Sequence, residues 1–118
     1  MLTLRVKISK KCVTGGEMKT FKLISLDIIG ETEKVSFPLI DGLIIDREDE
    51  KGFWVVECLI DTNFNPYILQ LQKSNDKVMI QAKITKATNK PATFSASIID
   101  INYMEYQMNV VFIGEMIK

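Results

Sequence analysis

Three segments decide the fold of this chain: VMIQAKIT at 78–85, FSASI at 94–98 and YQMNVVF at 106–112. In each of them, successive side chains alternate between a mostly apolar set and a mostly polar set, which is typical of a half-buried β-strand. Loop and turn residues separate the segments, so consecutive strands are expected to pair antiparallel. The pattern therefore predicts a three-stranded meander in the C-terminal third of the chain.

The same two-residue period continues upstream. Pro38 lacks a backbone donor, so the strand that contains it is expected at a sheet edge or a bulge. The charged stretch 47–52 predicts the tip of a β-hairpin. Four further strands are predicted, at residues 21–29, 35–40, 43–46 and 53–60, and residues 2–8 would add an eighth.

One short helix is predicted between the fourth and fifth of these strands. Asn65 is a good N-cap, Pro66 fits the first helical position, and residues 67–73 tolerate a helix. About two turns are too short to be stable alone, so the helix is expected to pack on the sheet.

Seven or eight short strands and one helix predict a mainly β fold. A small antiparallel β-barrel is favoured and a two-sheet sandwich is the alternative, since both hide strand edges. Small residues at Ala82 and Ala96 suit a tapered barrel interior. The 118 residues are enough for a single domain, which we assign to residues 18–118.

Residues 1–17 allow two interpretations. They are either a genuine first strand or an extension, because Gly15-Gly16-Glu17 before Met18 is what a ribosome-binding site would give if translated in frame. Under the second interpretation, residues 1–17 are leader or upstream-start sequence.

Composition argues against several classes of function. The 15 basic and 15 acidic residues cancel, whereas a nucleic-acid-binding protein usually carries a basic excess. There is no apolar run of about 18 residues, so no membrane span is predicted. The N-terminus lacks the apolar core of a secretory signal, and we therefore expect a cytoplasmic protein.

The sequence predicts no catalytic residue, cofactor or metal site. Histidine is absent, which removes the commonest general base and most zinc sites. Cys12 and Cys58 are too few for a thiolate zinc site; they either form a bridge or, as a cytoplasmic location favours, stay reduced. The acidic residues of the 46–50 tip and the pair of Lys83 with Ser95 are interpreted as solvated surface. We therefore expect a protein that is not an enzyme.

The expected functional feature is a surface for a protein partner. On the 53–60 strand, Trp54 shares a face with apolar residues and is assigned to the core, while Glu57 marks the opposite face as at least partly wet. Because the last strand is apolar on both faces near its end, a second layer must cover it, either the helix or another subunit. Selected by their apolarity, the predicted interface residues are Phe53, Val55, Leu59, Val111 and Ile113.

Three segments resemble the YwpF-like family of Firmicutes: MKTFKLISL at 18–26, PLIDGLIIDREDE at 38–50 and WVVE at 54–57. The resemblance extends from Met18 to the C-terminus. It implies a small cytoplasmic protein without an assigned activity, and a β-barrel with an added helix similar to the ring-forming tube component of type VI secretion. It assigns no role to any residue.

Together these observations predict a non-enzymatic module that self-associates or docks another protein. The alternative is a barrel that binds a small ligand in its interior, as some small barrels do.

Overall fold

The computed structural model of the protein describes residues 19–30, 33–48, 52–74 and 77–117. The segment 1–17, with its predicted eighth strand, lies outside the described residues, so both interpretations of it stay predictions. The described part forms seven strands, one 3₁₀ turn and one α-helix. In chain order these are β1 (Lys19–Ile29), β2 (Lys34–Phe37), β3 (Asp41–Asp46), β4 (Phe53–Asp61), the 3₁₀ turn (Thr62–Phe64), α1 (Asn65–Ser74), β5 (Val78–Ile84), β6 (Ala92–Tyr103) and β7 (Gln107–Ile117).

Six of these strands close into an antiparallel barrel. The order is β1–β3–β4–β7–β6–β5, and a ladder between β5 and β1 completes the ring. Closure leaves few unpaired backbone groups, which is how a small all-β domain avoids exposed edges. The predicted barrel is therefore confirmed, and the sandwich alternative is wrong.

The barrel interior is filled by the inward side chains of every strand. Phe94 is 1% exposed, and the partly buried Trp54 meets it nearly edge-on at 5.7 Å between ring centroids. Register places Trp54 beside Gly114 and Gly114 beside Ala96. A Cβ atom at residue 114 would lie 2.7 Å from the Cα atom of Ala96, so only glycine lets the two strands approach this closely. The expectation that small core residues fit this barrel is confirmed, since Ala82 and Ala96 are at most 1% exposed.

Strand β6 is longer than the alternating segment predicted. Its register with β7 shifts between Ile98 and Asp100, which is a β-bulge at Ile99. The extra residue reverses the two-residue period, so Ile101 faces inward where the earlier pattern would point it outward. The side-chain alternation therefore predicts the strand only as far as residue 98, although β6 continues to Tyr103.

Strand β2 ends at Phe37, directly before Pro38. Among the described strands it pairs only with β1, so it is an edge strand, as the proline predicts. Phe37 packs on Phe64 and Tyr67, with ring centroids 5.2 and 5.8 Å away. The short strand thus covers the end of the barrel at which the helix lies.

Helix α1 closes that same end of the barrel. Ile68 is fully buried and belongs to the interior core, and Leu71 packs against the same cluster. The expectation that the helix packs on the sheet is confirmed, since it contributes to the interior. No helix within the described ranges is long and apolar enough to cross a membrane.

Candidate functional site

The five predicted interface residues lie on one face of two neighbouring strands. Val55 of β4 is paired with Ile113 of β7, and Val111 is paired with Glu57. Side chains of directly paired residues lie on the same side of a sheet. Because Val56 and Phe112 belong to the interior core, the alternate residues of these strands form the outer wall. The structure therefore brings Phe53, Val55, Leu59, Val111 and Ile113 together on the outer wall.

These five residues differ in how much surface they expose. Val55 is 4% exposed and Val111 is 2% exposed, and together with Ile45 they form a second hydrophobic cluster outside the barrel. Phe53 and Ile113 are half-buried, as is Leu59. Val55 and Val111 are thus buried within the single chain, and the other three offer the accessible part of the set.

The helix is not part of this outer cluster. Among the described residues, the partly buried hydrophobic side chains that pack against it are Leu43 and Ile113, whereas Ile68 of α1 belongs to the interior cluster. Of the two covers considered for the apolar outer face of β7, the helix is therefore excluded. Since Val111 is already buried within the single chain, cover by a second subunit stays a prediction only for the half-buried Ile113.

A buried polar pair lies beside the cluster. Glu57 is 1% exposed and Asn109 is 2% exposed, and the Asn109 side-chain amide donates a hydrogen bond to Glu57 Oε1 at 3.1 Å. The expectation that Glu57 marks an at least partly wet face is wrong at this position, because the side chain is only 1% exposed; Leu43 and Val111 flank it on the two adjacent strands. A buried carboxylate needs donors, and Asn109 supplies one. Sequence alternation missed the pair, since it identifies a polar position without showing that it is covered.

A shallow concavity opens next to this pair on the outer wall. Its floor contains the two buried polar side chains, and its rim contains the exposed Asp41. The lining residues are Asp41, Gly42, Leu43, Glu57, Leu59 and Asn109.

Cys58 lies directly behind the outer wall, in the interior core, and is a free thiol. Burial raises the pKa of this thiol from 9.0 to about 12; a backbone hydrogen bond at Val110 opposes the shift and the charge of Glu57 adds to it. A thiol with so high a pKa is protonated at neutral pH and is a poor nucleophile. Cys12 lies outside the described residues, so the expectation that it too is reduced stays a prediction.

Among the described residues, four large apolar side chains are at least half exposed. Ile40 is 50% exposed, Ile99 53%, Tyr103 55% and Tyr106 75%. Ile40 directly precedes β3, and Tyr103 and Tyr106 flank the β6–β7 turn, at the end where β4 leads into the helix, whereas Ile99 lies four residues before the end of β6. We call these four residues the α1-end surface.

Hydrogen bonds attach the α1-end surface to the framework of the fold. The Tyr103 hydroxyl donates to Asn65 Oδ1 at 2.7 Å, at the start of α1. The Thr62 amide donates to the Tyr106 carbonyl at 3.3 Å. Ile40 is held by its amide, which donates to the Leu59 carbonyl at 2.8 Å. Sequence analysis missed this surface because Ile99 is the bulge residue and Tyr103 borders a turn, where alternation carries no information. It also placed Tyr106 in the apolar set of the last strand, which was wrong, since β7 begins one residue later and Tyr106 is exposed.

Comparison with known proteins identifies the family. The family model described as YwpF-like protein matches residues 19–118. The chain belongs to the YwpF-like family. It is 36% identical over 104 residues to the uncharacterized protein YwpF of Bacillus subtilis (strain 168), which covers 85% of this chain and 76% of that protein. The resemblance inferred from the three sequence segments is therefore confirmed.

A solved structure shares the fold of this YwpF-like chain. The crystal structure of a hypothetical protein from Staphylococcus aureus superimposes with a TM-score of 0.78 at 28% identity, over 86% of this chain and 72% of that chain. The descriptions of both relatives assign no activity, so residue roles in the YwpF-like chain rest on its own geometry.

The remaining polar groups considered in the sequence are tied to local structure. Lys83 Nζ donates to the carbonyl of Ala87, in the loop that follows β5, at 3.2 Å, and Ser95 pairs with Met79 rather than with the lysine. At the acidic tip, Asp46 Oδ1 accepts from the Glu48 amide at 3.0 Å. Within the described residues, no three His, Cys, Asp or Glu side chains are placed to share a metal ion.

Proposed function

We propose that this YwpF-like protein is a non-enzymatic interaction module that docks another protein through its α1-end surface. The observation that carries the proposal is that Ile40, Tyr103 and Tyr106, each at least half exposed, lie at one end of the barrel, with the similarly exposed Ile99 further along β6. Single exposed apolar residues are ordinary, but a group at one site is typical of a binding surface.

The chemistry of the α1-end surface supports a protein partner. Tyrosine combines a large apolar ring with a polar tip and is enriched at the centres of interfaces. The hydrogen bond from Tyr103 to Asn65 restrains one of the two rings before any partner arrives. A restrained side chain loses less entropy on binding, which favours affinity.

Three buried or engaged groups support a non-enzymatic role. Glu57 accepts a hydrogen bond from Asn109, and the Cys58 thiol has a pKa of about 12. The Lys83 side chain donates a hydrogen bond to the loop that follows its strand. A general base or nucleophile needs access to substrate, which burial denies to Glu57 and Cys58, and the thiol is also protonated near neutral pH.

The filling of the barrel weighs against the small-ligand alternative. Phe94 and Phe112 are at most 1% exposed, and Ile68 closes one end from the helix. A ligand inside the barrel would have to displace these packed side chains. The outer surfaces are therefore the better candidates for function.

Pull-down with matched variants tests the proposal. The full chain is immobilised as wild type and as the Ile40→Ser/Tyr106→Ser double variant, and proteins from the native host are quantified by mass spectrometry. Loss of two interface side chains of this kind is expected to lower recovery of a specific partner at least about tenfold. The control is Met79→Ser/Ile117→Ser, which removes two exposed apolar side chains, 37% and 42% exposed, outside the α1-end surface.

The results distinguish docking through the α1-end surface from docking through the outer wall. Equal recovery with wild type and with Ile40→Ser/Tyr106→Ser would refute docking through the α1-end surface. A selective loss in Phe53→Ser/Leu59→Ser would instead assign docking to the outer wall. Light scattering after size-exclusion chromatography shows whether the partner is a second copy of the chain. In that case the molar mass of the wild type would exceed that of the Ile40→Ser/Tyr106→Ser variant.

A further inference from the structure

The charged residues of this chain are distributed unevenly along its sequence. The segments 35–46, 52–72 and 91–117 together contain seven acidic residues and no lysine or arginine, so all 15 basic residues lie elsewhere. These segments include strands β3, β4, β7 and β6, which are consecutive neighbours in the barrel. The zero net charge of the chain therefore conceals four adjacent strands whose charged side chains are all acidic.

Three of these acidic residues lie around the α1-end surface. Asp41 directly follows Ile40, and Glu105 directly precedes Tyr106. Asp61, the last residue of β4, lies diagonally opposite Tyr106, since it pairs with the first residue of β7. All three acidic residues are exposed. The exposed apolar side chains at this end of the barrel are thus bordered by negative charge.

The lysines that follow the start of α1 lie away from the two tyrosines. Lys73, in the last turn of the helix, is eight residues from Asn65, the partner of Tyr103, which corresponds to about 12 Å along the helix axis. Lys77 directly precedes β5, whose first residue pairs with Ala96, roughly 20 Å along β6 from Tyr103. Charges separated by more than about 10 Å are largely screened in solution. Neither lysine therefore offsets the negative charge beside the tyrosines.

The three carboxylates keep capacity for a partner's cations. Asp41 and Asp61 each accept one backbone amide at 2.8 Å, which orients the carboxylate and leaves further acceptor positions on it. Within the described ranges, no salt bridge involves either of them or Glu105, whereas Lys34 is paired with Asp27 at 3.7 Å.

We propose that the partner docked by the α1-end surface presents a basic segment, in which lysine or arginine flanks apolar anchors. The apolar anchors pack on Ile40 and Tyr106, and the cations pair with the surrounding carboxylates. Lysine and arginine also interact favourably with the faces of exposed tyrosine rings. Complementary charge at the rim raises the association rate and selects against acidic partners. This inference rests on the docking function proposed above and adds the chemistry of the partner.

Three synthetic peptides test this chemistry. Each alternates six leucines with six copies of one polar residue, which is lysine, glutamine or glutamate, so the apolar content is constant. Binding of the labelled peptides to the full chain is measured by fluorescence anisotropy. We expect the lysine peptide to bind at least about tenfold more tightly than the glutamate peptide, and this preference to shrink when NaCl rises from about 50 to about 300 mM. Equal binding of the three peptides, or tighter binding of the glutamate peptide, would overturn the proposal.

A triple variant tests whether the three carboxylates are responsible. Asp41→Asn/Asp61→Asn/Glu105→Gln removes their charges, and asparagine caps the 3₁₀ turn as well as aspartate does. The variant is expected to bind the lysine peptide at least about tenfold more weakly than wild type. Unchanged binding of the lysine peptide would refute the role of these carboxylates.

A matched control removes three carboxylates at the opposite end of the barrel. Asp46→Asn/Glu48→Gln/Glu115→Gln changes the net charge by the same amount, at the end of β3 and β7 remote from α1. Its affinity for the lysine peptide is expected to stay within about twofold of wild type, since the charges lie far from the α1-end surface. An equal loss in both triple variants would show that net charge rather than the α1-end surface attracts the peptide, and would overturn the proposal.

Recovery of the native partner distinguishes this proposal from the docking function on which it rests. If Ile40→Ser/Tyr106→Ser lowers recovery and Asp41→Asn/Asp61→Asn/Glu105→Gln does not, the surface docks a partner but the partner is not basic. If neither variant lowers recovery, the docking function itself is refuted. We expect both variants to lower recovery, and the carboxylate variant to do so most strongly at low salt.

Discussion

The buried thiol of Cys58 is expected to make the barrel less stable as the pH rises into the alkaline range. Its pKa in the folded protein is about 12, against 9.0 in an exposed thiol. Below pH 9 the thiol is protonated in both the folded and the unfolded state, so its contribution does not change with pH. Above pH 9 the unfolded chain loses the proton while the folded protein keeps it, and the free energy of unfolding falls. The loss continues until the pH reaches the folded pKa near 12.

The size of this effect follows from the two pKa values. At pH 10.5, about 1.5 units above the unfolded value, the loss is about 2 kcal/mol, since each unit corresponds to about 1.4 kcal/mol. For a chain of this length, that lowers the melting temperature by roughly 8 °C.

The assay is urea unfolding at pH 8.0 and pH 10.5 for wild type and Cys58→Ala. Substitution by alanine changes stability at both pH values, but it removes the titrating group, so the variant lacks the additional loss of about 2 kcal/mol. Lysine and tyrosine ionisation, as well as Cys12, affect both proteins equally and cancel in the comparison. If wild type and Cys58→Ala lose the same free energy between the two pH values, the thiol does not keep its proton in the fold and the reasoning is refuted.

Three further substitutions test the packing by urea unfolding at pH 7. Gly114→Ala forces a Cβ atom against the carbonyl of Ser95 and is expected to cost about 2–3 kcal/mol, and a neutral effect would show that the two strands can separate freely. Asn109→Leu removes a hydrogen-bond donor from buried Glu57 and is expected to cost about 1–3 kcal/mol, whereas a stabilised protein would contradict a need for that donor. Asp61→Ala removes the cap of the 3₁₀ turn and is expected to cost about 1 kcal/mol, with no loss indicating that solvent replaces the cap.

The alternation of side chains was enough to predict the barrel strands, because each is half-buried with one face inward. It located all seven strands of the described part and the single helix. It failed at Ile99, where one extra residue reverses the period and hides the last part of β6. A bulge of this kind depends on pairing with β7, and the sequence of β6 alone does not encode it.

The outer wall was predicted in part. Alternation assigned Val55 and Val111 to the outer face correctly, because strand parity alone determines the side. It could not show that both are buried, nor that Glu57 and Asn109 form a covered pair, because burial depends on neighbouring strands and on what lies over them. The exposure of Tyr106 depends in the same way on tertiary structure, namely on the turn beside the helix.

The ladder that closes the ring has a consequence for the synthesis of the chain. Leu23 of β1 pairs with Ile84 of β5, and Phe53 of β4 pairs with Glu115 of β7, so each of these two ladders joins residues about sixty positions apart. At about 5–20 residues per second, a ribosome needs roughly 3–12 s to deliver the second partner after the first. During that time one edge of β1 and one edge of β4 are unpaired, because their partner strands have not yet been synthesised. We therefore expect chaperone binding, or mispairing with a neighbouring nascent chain, to occur in this interval, before the last strand leaves the ribosome.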